Sequence, residues 1–447
     1  EALGAAPLIG IRARLSSRST GRWGSSVGEK AKFGLPVPEI LATVEALREA
    51  NLLEELRLLH FHVGSQINDI AVVKDALQEA SRMYVELHAL GAPMGYLDVG
   101  GGLGIDYDGS RTATAASTNY SLQNYANDVV ATVQEGCAPH GVAVPTLVSE
   151  SGRAIASHFS VLVFDVLGSG GLQQSAPPET GEEPLIVRNL RDTLAGIHTL
   201  PADATADVSR LQEAWNDALK FKADALAAFR LGYLSLQDRS LAEQLTWACA
   251  RALLDRLPEG GTLPEDLKEL PAVLAETYYA NLSIFRSAPD TWAIQQLFPV
   301  MPLHRLDEKP TRLGHFADLT CDSDGRLSRF ISDGRSKPLL ELHPLVADQP
   351  YLIGLFLGGA YQEVMGNLHN LFGSTDAVHI RLAPGGDYQV DHVVRGDTNA
   401  DVLQAMEHVP DLLLERLRIA SEQAISRGAL RISDARLLMD HLESSLR

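Results

Sequence analysis

The sequence predicts an α/β chain that turns helical, then β-rich, then helical again. Three observations carry this. Through residue 150, short apolar strands alternate with amphipathic helices, the pattern of parallel strands joined by right-handed crossovers. Beyond about residue 202 the spacing becomes helical, and from about residue 282 short strands and turns return, ending in a hairpin. The later strands of the first block all end in polar or glycine residues, and parallel α/β folds bind ligands at the C-terminal ends of their strands. The parallel block fits two architectures at this point, half of a closed (β/α)8 barrel or an open doubly wound sheet.

Taken in order, residues 9–15 (IGIRARL) alternate as a strand, and a polar, glycine-rich loop follows over 21–34. Residues 38–53 form a helix with Ile40, Val44 and Leu47 at helical spacing. Residues 57–63 are a strand ending in Gly64 and Ser65, 70–90 a helix closed by Gly91, 96–99 a strand, 121–136 a helix and 145–150 a strand. A further strand spans 160–168 and a Gly/Pro/Gln/Glu linker 169–184. Residues 202–280 are helical, with Leu211, Trp215 and Leu219 on one face. Strands are expected at 313–320, 329–332, 339–345 and 351–357, then a hairpin of 377–383 and 388–394, and helices from 402 to 447. The expected division is 1–165 for the α/β block, 166–200 for a strand and linker, 201–282 for a helical insertion, 283–400 for an antiparallel β domain and 401–447 for C-terminal helices.

Composition narrows the function. Lys+Arg 38 against Asp+Glu 57 gives a net charge of −19, which disfavours nucleic acid and anionic membranes as partners. No apolar run approaches the roughly 18 residues of a membrane span. Three scattered cysteines make no disulfide framework and point to a reducing compartment, the cytoplasm. The chain opens at Glu1 without Met and is strand-like within ten residues, so the expectation is a cut start with sequence missing upstream.

The chemistry gathers at the strand ends. In YLDVGGGLGIDYD (96–108) three consecutive glycines follow a strand. Glycine permits positive φ and close approach to the main chain, and successive N–H groups in such a turn can form an anion-binding nest; a tight strand–helix turn with no ligand fits the glycines equally well, so their neighbours decide. Arg153 adds a guanidinium, a donor that a phosphate requires, and His62 ends a strand beside Ser65. Glu150, three residues before Arg153, is out of place beside a phosphate unless the ligand also carries a cationic nitrogen. Pyridoxal phosphate meets both demands. Its phosphate suits Gly100, Gly101, Gly102 and Arg153, its pyridinium nitrogen suits Glu150, and His62 suits the ring face.

The motifs HFHVGSQ (60–66), DVGGGLGIDYDG (98–109), SESGRA (149–154), TCDSDG (320–325) and LGGAYQE (357–363) together resemble the biosynthetic arginine decarboxylase family, within the alanine-racemase-like pyridoxal enzymes. The likeness runs through essentially the whole chain, including IQQLFPVMPLHRLDE (294–308). It implies the C-terminal half of a TIM barrel followed by a β domain, and decarboxylation of L-arginine to agmatine and CO2, the first step of polyamine synthesis. It implies that Ser65, Gly100, Gly101, Gly102, Arg153 and Tyr361 hold the phosphate, that Glu150 pairs with the pyridine nitrogen and that His62 stacks on the ring. Cys321 would donate a proton to the carbanion at Cα in the partner subunit's site of a homodimer, and Asp322 would meet the cationic end of the substrate. The family's substrate segment falls on Leu97, Asp98, Val99, Gly100, Gly101, Gly102, Leu103, Gly104, Ile105, Asp106 and Tyr107. Magnesium is implied as well, with unknown ligands.

The chain departs from the family in one respect. The lysine that anchors the cofactor is expected on an early barrel strand, and Lys30, Lys32, Lys74, Lys220, Lys222, Lys268, Lys309 and Lys337 all lack that setting. The expectation is therefore a truncated piece, inactive alone, whose unpaired strand edges favour aggregation. The rivals are ornithine, lysine or diaminopimelate decarboxylases and a non-catalytic, decarboxylase-like regulator; a racemase would need a second base, for which no candidate is evident.

Overall fold

The computed structural model describes residues 7–16, 31–171, 176–179, 181–201, 208–257, 263–333 and 335–446. Most of the glycine-rich loop expected at 21–34, Lys30 included, lies outside them.

Four parallel strands form the first sheet in the order β1-β2-β3-β4: β1 (Ile9–Arg12), β2 (Leu56–His60), β3 (Tyr96–Asp98) and β4 (Thr146–Val148). Between them run α1 (Val37–Glu49), α2 (Ile70–Ala89) and α3 (Leu122–Cys137). Local chemistry starts the last two. The Asp69 side chain accepts the Ala71 N–H to open α2, and Ser121 and Asn124 form a reciprocal capping box on α3. Helix α2 buries Val73, Leu77, Tyr84 and Val85, and α3 buries Tyr125, Val129 and Val133, in one core with Leu56, Leu59 and Leu97 of the strands. The alternating pattern was thus a faithful guide to this barrel-like sheet. Short α4 (Gly152–Ala156) follows β4.

Two expectations for the middle of the chain are corrected. The region assigned to strand and linker contains α5 (Leu185–His198), which buries Val187, Leu190, Leu194 and Ile197 at helical spacing. It packs with α6 (Val208–Arg230) and α7 (Leu236–Leu254) around Leu211, Trp215, Leu245 and Leu253, and α8 (Glu265–Lys268) and α9 (Leu270–Val273) close this bundle. The expected helical run to 280 ends instead in a strand, β6 (Glu276–Ala280). Its Thr277, Tyr278 and Tyr279 favour pleated backbone, and alternate residues Glu276, Tyr278 and Ala280 point inward.

The second large sheet has the order β12-β8-β6-β5-β13-β7, with β9 paired to β8. Its strands are β5 (Val161–Gly170), β6, β7 (Val300–Pro302), β8 (Arg312–Ala317), β9 (Arg326–Leu327), β12 (Leu340–Leu342) and β13 (Leu352–Phe356), while β10 (Phe330–Ser332) and β11 (Arg335–Lys337) make a small ribbon. The strand expected before the linker, β5, sits inside this sheet between β6 and β13. All pairings are antiparallel except β6 with β8. Short helices α10 (Ile284–Ser287), α11 (Pro289–Ala293) and α12 (Gln362–Met365) line its margin. The hairpin of β14 (Ala377–Leu382) and β15 (Tyr388–Val394) forms where expected, and α13 (Asn399–Ala405), α14 (Pro410–Ser426) and α15 (Ile432–Leu446) end the chain. Among the described residues no helix is long and apolar enough to cross a membrane.

Candidate active site

The candidate site is built where β2, β3 and β4 end side by side. His60 lies in register with Asp98, and Asp98 with Val148. The ladder continues past the strands: Phe61 N–H donates to Asp98 O (3.2 Å), Val99 N–H to Val148 O (2.9 Å) and Glu150 N–H to Gly100 O (2.9 Å). These bonds hold Glu150 against the glycine turn. Gly100 has φ +65°, and a Cβ there would stand 2.0 Å from Phe61 O. A Cβ on Gly101 would stand 2.8 Å from His62 Nε2, so the imidazole lies directly on the glycine main chain. The triplet is thus a bare surface that only glycine permits.

One end of this row is cationic. Arg153, on α4, is 4% exposed. Its Nε and Nη2 donate to Ser65 Oγ (3.2 and 3.1 Å), and its Nη1 donates to Tyr107 Oη (2.9 Å). Tyr107 Oη in turn lies 3.2 Å from Ser157 Oγ. The partners that hold this buried guanidinium are neutral hydroxyls, which leaves its charge for an anion. The Tyr361 ring lies over it, 4.8 Å from centroid to guanidinium carbon. The turn carrying Tyr361 docks on α4 through Gly359, whose N–H donates to Ser157 O (3.2 Å) and whose Cβ would stand 2.0 Å from Ala156 O. Tyr361 itself has φ +71°.

The other end is acidic. His60, Asp98 and Glu150 bring ligand-type atoms within 4.8 Å of one another. Asp98 accepts Gly100 N–H through Oδ1 (2.8 Å), and its Oδ2 lies 2.8 Å from His60 Nδ1. That contact falls outside hydrogen-bond geometry and leaves Nδ1 unsatisfied. A hydrogen bond with Asp98, and then the Asp98 charge, hold the Glu150 carboxyl above the usual glutamate range. Two adjacent carboxyl groups of this kind suit a cation between or beside them. His62 is pushed the other way. Burial, then the Arg12 guanidinium and His60, lower its pKa, while its Nδ1 accepts the Gly64 N–H (3.0 Å). A neutral imidazole is therefore presented over the glycines, the form that does not repel a protonated ring.

Cys321 sits in the loop between β8 and β9. Buried Asp318 braces that loop, accepting Thr320 N–H (2.9 Å), Thr320 Oγ–H (2.7 Å) and Ile284 N–H (2.8 Å). Cys321 is exposed, and the contacts of its N–H and Sγ are to Asn370 rather than to the glycine cradle. Asp322 is in close contact with His369.

Comparison with known proteins bears on the family. Residues 4–157 match the pyridoxal binding domain of pyridoxal-dependent decarboxylases, 180–271 the arginine decarboxylase helical bundle domain and 400–447 the arginine decarboxylase C-terminal helical extension. A biosynthetic arginine decarboxylase of Parasynechococcus marenigrum is 74% identical over 447 residues, all of this chain and 69% of the relative. Another, from Prochlorococcus marinus, is 72% identical over the same share. The crystal structure of the biosynthetic arginine decarboxylase of Campylobacter jejuni superimposes with a TM-score of 0.79 at 32% identity, covering 98% of this chain and 68% of that one. The chain belongs to the biosynthetic arginine decarboxylase family. A diaminopimelate decarboxylase of Helicobacter pylori, at 15% identity and a TM-score of 0.52, shares the fold.

Within this family fold the structure sorts the residues singled out by sequence. His62, Ser65, Gly100, Gly101, Gly102, Glu150, Arg153 and Tyr361 gather around the ends of β2, β3 and β4. The substrate segment divides. Leu97, Val99, Leu103 and Ile105 turn their side chains into the core, and Tyr107 is equally buried with its hydroxyl on Arg153. Asp106 accepts from Ser117 Oγ (2.6 Å), and Gly104 donates its N–H to Tyr120 Oη (3.1 Å). Sequence reasoning missed His60, Ser157, His369 and Asn370. The HFH pattern placed His60 two residues before His62, a usable signal; for Ser157 and Asn370 no local pattern marks a site.

Proposed function

We propose that this chain carries the pyridoxal-phosphate-dependent decarboxylation of L-arginine to agmatine and CO2, a step that supplies polyamine synthesis. The observation that carries the cofactor is Arg153, a buried guanidinium held by hydroxyls beside a glycine nest, with an acidic group at the far end of the same row. Arginine rather than ornithine, lysine or diaminopimelate is supported by family membership and by the bundle match over 180–271.

Pyridoxal phosphate, when bound, supplies an electron sink for the pair left behind as CO2 departs. The chain supplies the rest. Arg153, Ser65 and the N–H groups of Gly100, Gly101 and Gly102 hold the phosphate, with Tyr361 closing over the guanidinium. Glu150 takes the ring nitrogen, and His62 covers the ring face as a neutral imidazole. Cys321 holds the proton destined for Cα, and Asp322 meets the substrate guanidinium, a pairing that a carboxylate makes bidentately. Because Cys321 contacts Asn370 and not this cradle, the reading assigns it to the site of a partner subunit in a homodimer. Unpaired Cys137, Cys249 and Cys321 suit the cytoplasm.

Among the described residues, the donors that come together do not fit magnesium. The cluster with metal-ligand spacing contains a histidine nitrogen, and its Asp98 is already engaged by Gly100 N–H. Magnesium prefers an all-oxygen octahedron. No role is assigned to it.

No residue is assigned as the lysine that anchors the cofactor. Lys74 pairs with Asp128, Lys268 with Glu265 and Lys337 with Glu341, while Lys32 lies over Phe33.

The test is CO2 release from arginine, ornithine, lysine and diaminopimelate with added pyridoxal phosphate. It compares the chain alone with the chain joined to the part of the Parasynechococcus relative that it does not match. Turnover of arginine alone by the joined protein, lost in Cys321→Ala, is expected. Preference for another amino acid overturns the substrate, and no turnover of any overturns the activity.

A further inference from the structure

Two non-glycine residues with positive φ stand side by side in the connection from β13 to β14: Asn370 (φ 52°) and Leu371 (φ 63°). Left-handed backbone is unfavourable for most side chains and least so for asparagine. The turn they make is fixed from several sides. Asn367 N–H donates to Phe285 O (3.2 Å), Arg286 Nη1 donates to Gly366 O (2.9 Å), and the His369 and Phe285 rings lie 4.3 Å apart. The result is to bring one carboxamide down on Cys321. Asn370 Oδ1 accepts the Cys321 N–H (3.2 Å), and Asn370 Nδ2 donates to Cys321 Sγ (3.5 Å). A single planar group thus fixes both the main chain and the thiol of one residue.

We propose that Asn370 is a positioning residue for Cys321, orienting its thiol and donating a hydrogen bond to the sulfur that remains after proton transfer. The inference rests on the reading of Cys321 as the proton donor. In that step the S–H bond breaks, the proton forms a C–H bond with the electron pair at Cα, and the sulfur keeps its own pair as a thiolate. The Nδ2–H of Asn370 faces that developing charge. The same loop carries Asp322 and Asp324, and His369 on the facing connection engages Asp322. Asparagine meets both demands of position 370, tolerance of left-handed backbone and an amide with a donor and an acceptor.

The experiment uses the chain itself. Cys137 and Cys249 are buried, so iodoacetamide modifies Cys321 first, and peptide mass spectrometry follows its rate. Asn370→Gly keeps the turn and removes the amide. Asn370→Asp keeps an acceptor and replaces the donor with a carboxylate. Alkylation near neutral pH is expected to slow by about three-fold in the glycine variant and about ten-fold in the aspartate variant, the range that follows from loss of one ordinary hydrogen bond. Both variants are expected to keep the native melting temperature. Rates within two-fold of the parent in both variants, or equal slowing in both, overturn the proposal. If the aspartate variant fails to fold, an unchanged or faster rate in Asn370→Gly overturns it alone. In the joined, active protein Asn370→Gly is expected to lower kcat with little change in KM. Should Cys321→Ala leave arginine turnover intact while the alkylation order holds, the proton-donor reading fails and the Asn370 contact stands.

Discussion

Gly100→Ala tests the glycine turn most directly. Gly100 combines a φ of +65° with a Cβ position 2.0 Å from the main-chain oxygen of Phe61. Left-handed backbone costs a non-glycine residue about 1 to 2 kcal/mol. The overlap with a backbone atom has no flexible side chain to yield, so the ends of β2 and β3 must separate, an overpacking penalty of about 1 to 3 kcal/mol. The sum is about 2 to 5 kcal/mol. Gly109→Ala is the matched control, because Gly109 has φ +73° with nothing within 4 Å of its Cβ position. It is expected to lose only the conformational part, about 1 kcal/mol. Hydrogen–deuterium exchange of peptides covering residues 96–109 reads both losses in the same segment. Faster exchange in Gly100→Ala than in Gly109→Ala, by a factor of about 5 to 150, follows from the steric difference alone. Exchange in the two variants within two-fold refutes the close approach of Gly100 to Phe61. Pyridoxal phosphate affinity, measured by fluorescence quenching, is expected to fall in Gly100→Ala and to hold in Gly109→Ala.

Other expectations follow from the same geometry. Tyr107→Phe removes the hydroxyl that accepts from Arg153 and is expected to weaken pyridoxal phosphate binding by about three- to ten-fold, seen by equilibrium dialysis; unchanged affinity would show that Tyr107 does not orient the guanidinium. Because Asp98 raises the Glu150 pKa, Glu150 gains its proton at a higher pH than an ordinary glutamate, and a protonated Glu150 does not pair with a pyridinium. Cofactor affinity is therefore expected to be full above that pKa and lost as the pH falls through it, a dependence absent from Glu150→Gln. His62 is depressed by burial, so the unfolded state binds its proton first; stability contributed by the neutral ring is present above pH about 6.5 and declines on acidification toward the folded-state pKa, which urea titrations of the parent and His62→Phe are expected to separate. Gln362→Leu strips the buried Asp290 carboxylate of the Nε2 donor 2.7 Å away and is expected to lower stability by about 1 to 3 kcal/mol in thermal unfolding.

Much of the fold was legible because local rules agreed with the global one. In the first sheet each apolar strand, each cap and each helix face pointed to the same parallel layer, and the C-terminal hairpin was marked by turn residues between two alternating runs. The misplacements share a cause. Helix α5 was hidden by the Gly/Pro-rich text before it, although Val187, Leu190, Leu194 and Ile197 carry a helical period. Strand β6 was absorbed into the preceding helical stretch because five residues are too few to establish a period of their own. The grouping of the glycines, Arg153 and Glu150 was legible because all of them stand directly after strands. The substrate segment was less so, because sequence does not say which face of a residue the core takes; Leu97, Val99, Leu103 and Ile105 are buried for packing.

The sequence by itself determined the α/β order of the first block, the glycine nest and the chemical types of its partners, since these depend on spacing along one segment and on what each side chain is able to donate or accept. Only the tertiary structure decided which distant groups meet. It set Ser65 and Tyr107 on Arg153, Asp98 on His60 and Glu150, and Asn370 on Cys321. Each of these pairs joins separate strand ends or loops. Their encounter depends on sheet register and on the packing of turns such as 357–361 against α4, which no local period encodes.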